Sequence, residues 1–127
     1  MAKKVTIELT GQQAQIVLAA VEEWFRLRMG QTAYLANDLA CLKHGDADFD
    51  KVLVRRDAIE ELVRAMFRIA WPPYGAPREV PPYVHVASDI WSALRYEMGP
   101  KTEWCSTPFQ MGPEPLPKIS VEECALD

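Results

Sequence analysis

The longest helical pattern in the chain begins at Thr10, and it constrains the fold more than any other feature. Thr10-Gly11-Gln12-Gln13 has the form of a capping box, in which a hydroxyl stands three residues before a glutamine. A period near 3.6 residues then continues as far as Gly30, a residue type that commonly ends helices; its main positions are Ile16, Ala20, Glu23 and Leu27. The pattern predicts a helix from about Gly11 to Met29, roughly 28 Å long.

Three further segments have helical spacing. A short helix is predicted from Gln31 to Leu42, and a longer one from Arg56 to Ala70. The longer one carries a wide apolar stripe, which we expect to pack against the short helix; the stripe is Ile59, Leu62, Val63, Met66, Phe67 and Ala70. The last helix is predicted to begin at Val84 or Ser88 and to end at Met98.

The two ends of the chain have the pattern of strands. Lys3 to Leu9 alternates between apolar and polar residues, as a half-buried strand does. Short extended segments are also predicted around Glu103 to Phe109 and Leu116 to Val121. We therefore predict one α+β domain over residues 1–127, with about four helices and a short antiparallel sheet formed from the N-terminal and C-terminal strands.

Composition excludes several classes of protein. A net charge of −4 argues against a dedicated DNA-binding protein, since affinity for the phosphate backbone comes from clustered Lys and Arg. The sequence has neither the features of a signal peptide nor an apolar run of membrane-spanning length, so a cytoplasmic protein is expected. The three cysteines, Cys41, Cys105 and Cys124, are an odd number without close pairing, which predicts reduced thiols.

Patterns for metal binding and catalysis are weak. Asp46, Asp48 and Asp50 alternate like the start of a calcium loop, but Lys51 and Asp57 stand where that loop needs glycine and glutamate. A Cys105 nucleophile with His85 as its base is conceivable only if the two meet in the fold, and a packed thiol is the simpler interpretation. We expect no metal, no cofactor and no catalytic residue.

Aromatic residues and arginines recur together at three places. These are Trp24 to Arg28, Phe67-Arg68 with Trp71, and Trp91 to Tyr96. Arginine grips phosphate through a planar fork and aromatic rings stack on bases, so the combination suits a nucleotide-like anion. The alternative is that the rings belong to the core and the arginines only cover apolar surface.

Arg95 is the strongest anion-binding candidate. It is expected at the edge of the core, where a partly buried guanidinium needs a partner. Asp89, six residues earlier, is poorly placed for this, so the partner is either a carboxylate elsewhere in the fold or a bound anion.

A proline-rich segment precedes the last helix. Six of the ten prolines lie between Pro72 and Pro100, most of them before Tyr83, which predicts an ordered loop without helix. Long loops in small domains are often functional, so an alternative function is that of a protein-binding inhibitor or structural accessory protein, which would dock its partner through this loop and exposed tryptophans.

Two segments give the chain a resemblance to the phage-encoded Thoeris anti-defence proteins of the first described type. The run Trp24-Phe25-Arg26-Leu27-Arg28-Met29-Gly30-Gln31 resembles that family's aromatic-Ser-Arg-hydrophobic-Gly-Met-Gly-Gln run, and Ser88 to Tyr96 resembles its Asp-Ile-Tyr-Gln-hydrophobic-hydrophobic-Arg-His helix. Arg26, Gly30, Gln31, Asp89 and Arg95 match the family pattern. Phe25, Arg28, Ser92 and Tyr96 depart from it.

The resemblance implies a sponge that binds cyclic ADP-ribose isomers, including glycocyclic ADP-ribose, made by TIR-domain defence enzymes and hides them without cleavage. It also implies a homo-oligomer, dimer or hexamer, with cyclic trinucleotides as a second ligand class, in the cytoplasm of an infected bacterial host. On this hypothesis Arg95 and other arginines hold the pyrophosphate. One aromatic ring, from Trp71, Tyr74 or Trp104, stacks on adenine, and the hydroxyls of Ser106 and Thr107 donate hydrogen bonds. The candidate ligand-binding residues are Arg95, Arg26, Arg28, Gln31, Trp71, Tyr74, Trp104, Ser106 and Thr107.

Overall fold

The computed structural model describes residues 3–42, 49–72, 74–99 and 107–123, and within them the chain forms four α-helices. They are α1 (Gly11–Arg28), α2 (Thr32–Ala40), α3 (Phe49–Phe67) and α4 (Pro82–Met98). The capping box at the start of α1 is confirmed, since Gln13 N donates to Thr10 Oγ1 over 3.2 Å and Thr10 N donates to Gln13 Oε1 over 2.9 Å. None of the described helices is both long and apolar enough to cross a bilayer.

The predicted antiparallel sheet is wrong, because the described part of the chain is all-helical and contains no strand. Val5 and Ile7 alternate as a strand would, but their side chains are 87% and 72% exposed. Alternation of apolar and polar residues shows which side chains would share a face of a strand, but it does not show that another element covers that face. At the other end of the chain Pro113, Pro115 and Pro117 lack the amide hydrogens that a ladder requires. Residues 103–106 of the other predicted strand lie outside the described residues.

The observed helix boundaries differ from the predicted ones mainly at the start of α4, where a proline lies, and at both ends of α3. α4 begins at Pro82, earlier than either predicted start, because proline in the first turn gives up only an amide that has no helical partner. α3 begins at Phe49 instead of Arg56 and ends at Phe67, where Arg68 adopts φ 51°. A left-handed residue at that point turns the chain away before the predicted end at Ala70.

The helices pack in series: α4 lies on α1, α1 contacts α2, and α2 lies on α3. A small core between α1 and α4 is formed by Phe25, Val84 and Ala87, with Val21, Met29, Val80 and Trp91 packed around it. On α2 the buried side chains include Ala33, Ala36 and Ala40, whose small size permits the close approach of α3. The predicted packing of α3 on α2 is confirmed, but the predicted stripe is only partly covered, since Leu62, Met66 and Phe67 remain exposed.

Asp89 attaches the segment after α4 to that helix. Its buried carboxylate accepts hydrogen bonds from Met111 N, at 3.0 Å and 3.1 Å from the two oxygens, and from Gly112 N at 2.8 Å. Gly112 lies so close to α4 that an added Cβ would stand 2.8 Å from Val86 N. The role of Asp89 is therefore structural: a carboxylate held by amide donors fixes the C-terminal segment against α4.

Candidate functional site

Arg26, in the last turn of α1, lies at the centre of a cluster of arginines and aromatic rings. Its Cζ is 3.9 Å from the centre of the Tyr34 ring, and its Nη1 donates a 2.7 Å hydrogen bond to Gln31 Oε1. Glu22, one turn earlier, has a carboxylate oxygen 3.8 Å from Arg26 Nε. Cation–π contact and hydrogen bonding together hold the guanidinium in one orientation.

The helix break at Gly30 makes this arrangement possible. Gly30 has φ 65°, a left-handed conformation that costs a residue with a Cβ about 1–2 kcal/mol. The break at Gly30 places Gln31 and Tyr34, at the start of α2, in contact with Arg26 at the end of α1. Trp71 packs directly on Gly30, where an added Cβ would stand 2.7 Å from its ring, and Trp71 Nε1 donates to Gly30 O over 3.2 Å.

Trp91 on α4 links a second arginine, Arg95, to the cluster around Arg26. The Cζ atoms of Arg26 and Arg95 lie 5.6 Å and 5.0 Å from the Trp91 ring centre. Phe25 supports this indole edge-on, with the ring centres 5.6 Å apart. Two guanidinium groups from different helices therefore lie against one indole ring.

Arg95 is more open than the sequence predicted. It was expected to be partly buried with a partner, but it is exposed and stacks on Trp91, which lies one turn before it on α4. No carboxylate within the described ranges forms an ion pair with it. Because Arg95 is exposed, a phosphate in solution can reach its side chain.

The segment after α3 borders the cluster. Gln31 Nε2 donates to Tyr74 O over 3.3 Å, and the Tyr74 ring stands edge-on to Tyr34, with 5.6 Å between centres. Arg64 Nη2 donates to Trp71 O, and more weakly to Ile69 O at 3.4 Å. Trp71 is therefore committed to internal contacts, while Tyr74 is 68% exposed and presents a ring to solvent.

Three buried polar atoms on the elements around this junction have no hydrogen-bond partner among the described groups: Arg26 Nε, Thr32 Oγ1 and Arg64 Nη1. Arg26 Nε is charged and near Glu22, but the 3.8 Å separation exceeds hydrogen-bonding distance. In this region the described acceptors therefore do not provide a hydrogen-bond partner for every buried donor.

Acidic residues lie on the same contact between α1 and α2. The pKa of the Glu23 carboxyl is raised to about 7, first because its side chain hydrogen-bonds to Asp38 on α2, and then because of burial and the charges of Asp38 and Glu22. Below that pH Glu23 is protonated, so the contact between α1 and α2 carries one negative charge fewer.

The structure brings together four of the predicted ligand-binding residues, Arg26, Gln31, Tyr74 and Arg95, with Trp71 beside them. Arg28 belongs to a different group, in which its Cζ lies 4.7 Å from the Trp24 ring and Trp24 meets Tyr83 edge-on. Thr107 is exposed on the segment after α4 and makes none of the described contacts with the cluster. Trp104 and Ser106 lie outside the described residues.

Neither Tyr34 nor Trp91 was among the predicted ligand-binding residues, although Trp91 was grouped with Arg95 in the sequence. For Trp91 a signal was present, since it stands one turn before Arg95 and helical residues at that spacing are neighbours. Tyr34 had no comparable signal, because its contact with Arg26 depends on the angle of the helix break at Gly30.

The structure provides little support for the other candidate sites. No cluster of three metal-ligating side chains occurs in the parts of the chain that are described. Cys105, the suggested nucleophile, is outside the described residues. An open depression of about 340 Å³ lies elsewhere, along α3, and the described residues that line it, Asp50, Lys51, Val54 and Arg55, include no aromatic side chain. The cluster around Arg26 and Trp91 is accordingly the better candidate, although its surface is open.

Comparison with known proteins adds no family assignment: no protein-family model, curated protein or solved structure matches this chain.

Proposed function

We propose that this protein is a non-enzymatic phage counter-defence sponge that binds and sequesters cyclic ADP-ribose isomers made by TIR-domain enzymes, and so blocks Thoeris-type immunity. The observation that carries the binding part of this proposal is the contact of Arg26 and Arg95 with one indole, Trp91. The identity of the ligand and its biological setting rest on the resemblance of residues 24–31 and 88–96 to the anti-defence family.

Each group has a distinct role in the proposed complex. Arg95, which is exposed, grips the pyrophosphate, and Arg26, held by Tyr34 and Gln31, adds a positive charge in a fixed position. The exposed Tyr74 ring is the stacking surface for adenine. Sequestration needs tight binding and no bond cleavage, so the proposed site requires no acid–base pair.

Isothermal titration calorimetry with a cyclic ADP-ribose isomer tests the proposal. We expect saturable binding, intact ligand after the protein is denatured, and a loss of affinity of at least about 100-fold in Arg95→Glu, since a charge-assisted contact worth about 1.5–3 kcal/mol becomes a repulsion. Arg78→Glu is the matched control, because Arg78 is also exposed but stacks on none of these rings. No measurable heat, a degraded ligand, or equal losses in both variants would contradict the proposal.

A second candidate function is docking of a partner protein. The observation that favours it is an exposed aromatic pair, Trp24 and Tyr83, with Arg28 stacked on Trp24. Trp, Tyr and Arg are the residues most enriched at the energetic centres of protein interfaces. A partner that is retained at high salt, is lost with Trp24→Ala and is unaffected by Arg95→Glu would favour this function over nucleotide binding.

A further inference from the structure

Two buried hydrogen-bond donors lack an acceptor on the two helices that pack together as α2 and α3. Thr32, the first residue of α2, is 4% exposed, and its Oγ1 has no hydrogen-bond partner among the described residues. Arg64 Nη1, on α3, is also buried without a partner among them. Folded proteins rarely leave such donors unsatisfied, because a buried donor without an acceptor is destabilising.

Two contacts give the direction of α3 relative to α2. Near the start of α3, Arg55 Nη1 donates to Ala40 O, at the end of α2, over 3.2 Å. Beyond the end of α3, Trp71 Nε1 donates to Gly30 O, just before α2, over 3.2 Å, and Arg64 Nη2 donates to Trp71 O. The two helices are therefore antiparallel, with the last turns of α3 beside the first turn of α2.

The rise of the two helices places the unpartnered donors at the same level. Arg64 lies nine residues after Arg55, which is roughly 13.5 Å along α3. Thr32 lies eight residues before Ala40, which is roughly 12 Å along α2. Side chains in a helix lean towards its N-terminus, so the Thr32 hydroxyl lies at the very start of α2. Both donors therefore belong to the junction between the start of α2 and the last turns of α3.

This junction has positive charge without a described negative partner. The first turn of α2 contains no acidic residue, and Gln31, its N-cap, makes no side-chain cap hydrogen bond. Arg64 takes part in none of the ion pairs formed by the described residues. The backbone N–H groups at the start of a helix carry partial positive charge, which adds to that of Arg64. An anion would satisfy the donors and the charge together, whereas a water molecule would satisfy only the donors.

We propose that a chloride ion binds at this junction, between the first turn of α2 and Arg64. Thr32 Oγ1 and Arg64 Nη1 donate hydrogen bonds to it. Because both donors are buried, a monatomic ion is favoured over phosphate, which would have to displace the side chains packed around them. The site goes beyond the proposed function, since it includes none of Arg95, Tyr74 and Trp91, and failure of nucleotide binding would leave it untouched.

Thermal unfolding in sodium chloride and in sodium fluoride of equal ionic strength tests the proposal. Fluoride is much more strongly hydrated and enters a buried site poorly, so we expect the Tm of the original protein to be higher by about 5 °C in chloride. Thr32→Val removes the hydroxyl and keeps the shape of the side chain. It should weaken chloride binding at least about tenfold and so remove most of this difference. Thr6→Val is the matched control, because Thr6 is exposed in the segment before α1, and it should keep the difference.

The stability of Thr32→Val distinguishes a bound anion from a hydroxyl that simply has no partner. In chloride the variant should have a lower Tm than the original protein, because it loses a hydrogen bond to the ion. In fluoride it should be at least as stable as the original protein, because a buried donor without an acceptor has been removed. Arg64→Gln also changes the contact with Trp71 O, so its test is the loss of the chloride–fluoride difference and not its Tm alone.

Bromide, which can replace chloride and scatters X-rays anomalously, locates the ion. Crystals grown in sodium bromide should show an anomalous peak within hydrogen-bonding distance of Thr32 Oγ1 and Arg64 Nη1. A water molecule in that place, or bromide at the surface as an adventitious ion only, would overturn the proposal. Equal Tm values in the two salts, an unchanged chloride response in Thr32→Val, or a lost response in Thr6→Val would overturn it as well.

Discussion

Replacing Gly30 with alanine tests the helix break on which the candidate site depends. Gly30 has φ 65°, and an added Cβ would stand 2.7 Å from Trp71 Cζ2. The left-handed conformation costs about 1–2 kcal/mol in alanine, and displacement of Trp71 would lose its hydrogen bond to Gly30 O, worth about 1 kcal/mol. We therefore expect the free energy of unfolding to fall by about 2–3 kcal/mol, with Tm lower by about 10 °C.

Urea unfolding followed by circular dichroism measures this loss, with Gly11→Ala as the control. Gly11 begins α1 with ordinary φ and has nothing within 4 Å of an added Cβ, so its replacement should leave stability unchanged or slightly raised. If the steric account is right, Trp71→Ala should reduce the additional cost of Gly30→Ala, because the ring in the way is gone. A Gly30→Ala variant within about 0.5 kcal/mol of the original protein would refute the reasoning.

Two further predictions concern buried or partly buried carboxyl groups. Asp89→Asn replaces the carboxylate that accepts hydrogen bonds from Met111 N and Gly112 N with an amide. We therefore expect the free energy of unfolding to fall by about 2–3 kcal/mol and proteolysis between Thr107 and Val121 to become faster. Unchanged cleavage would contradict the anchoring role of Asp89. Glu23 has a folded pKa of about 7, above its ordinary value of 4.5. The folded state therefore keeps a proton that the unfolded state releases, and the stability that this proton contributes is present below pH 4.5 and is lost as the pH rises to about 7. Urea midpoints at pH 5 and pH 8 should differ less in Glu23→Gln than in the original protein, and an equal difference in both proteins would rule this out.

The sequence predicted local structure well where the residues that determine a feature lie close together in the chain. The capping box at Thr10 and the break at Gly30 are examples, because each depends on residues within a few positions of one another. The N-terminal strand failed for the opposite reason. Val5 and Ile7 have the correct alternation, but a strand needs a partner, and the proline-rich C-terminal segment does not provide a ladder.

The candidate site was predictable in part for the same reason. Arg95 and Trp91 lie one turn apart on α4, so their contact follows from helical spacing. The contacts of Arg26 with Tyr34 and Trp91 depend on the angles between three helices, which no local pattern specifies. The same limit applies to Trp71, one of three alternative residues predicted to stack on adenine, whose contact with Gly30 no local pattern specifies.

The two arginines of the proposed site differ in how much freedom they would lose on binding. Arg26 is already held by the Tyr34 ring and by Gln31, and its side chain is 18% exposed, so little conformational entropy remains for a ligand to remove. Arg95 is exposed, and among the described residues the Trp91 ring is its support, so ordering its side chain costs on the order of 1 kcal/mol. Arg26 should therefore contribute a positive charge that is already oriented before binding, and Arg95 should adjust its conformation to contact the ligand. A rigid charge beside a mobile one suits ligands that share a pyrophosphate but differ in the geometry of the ring that closes it.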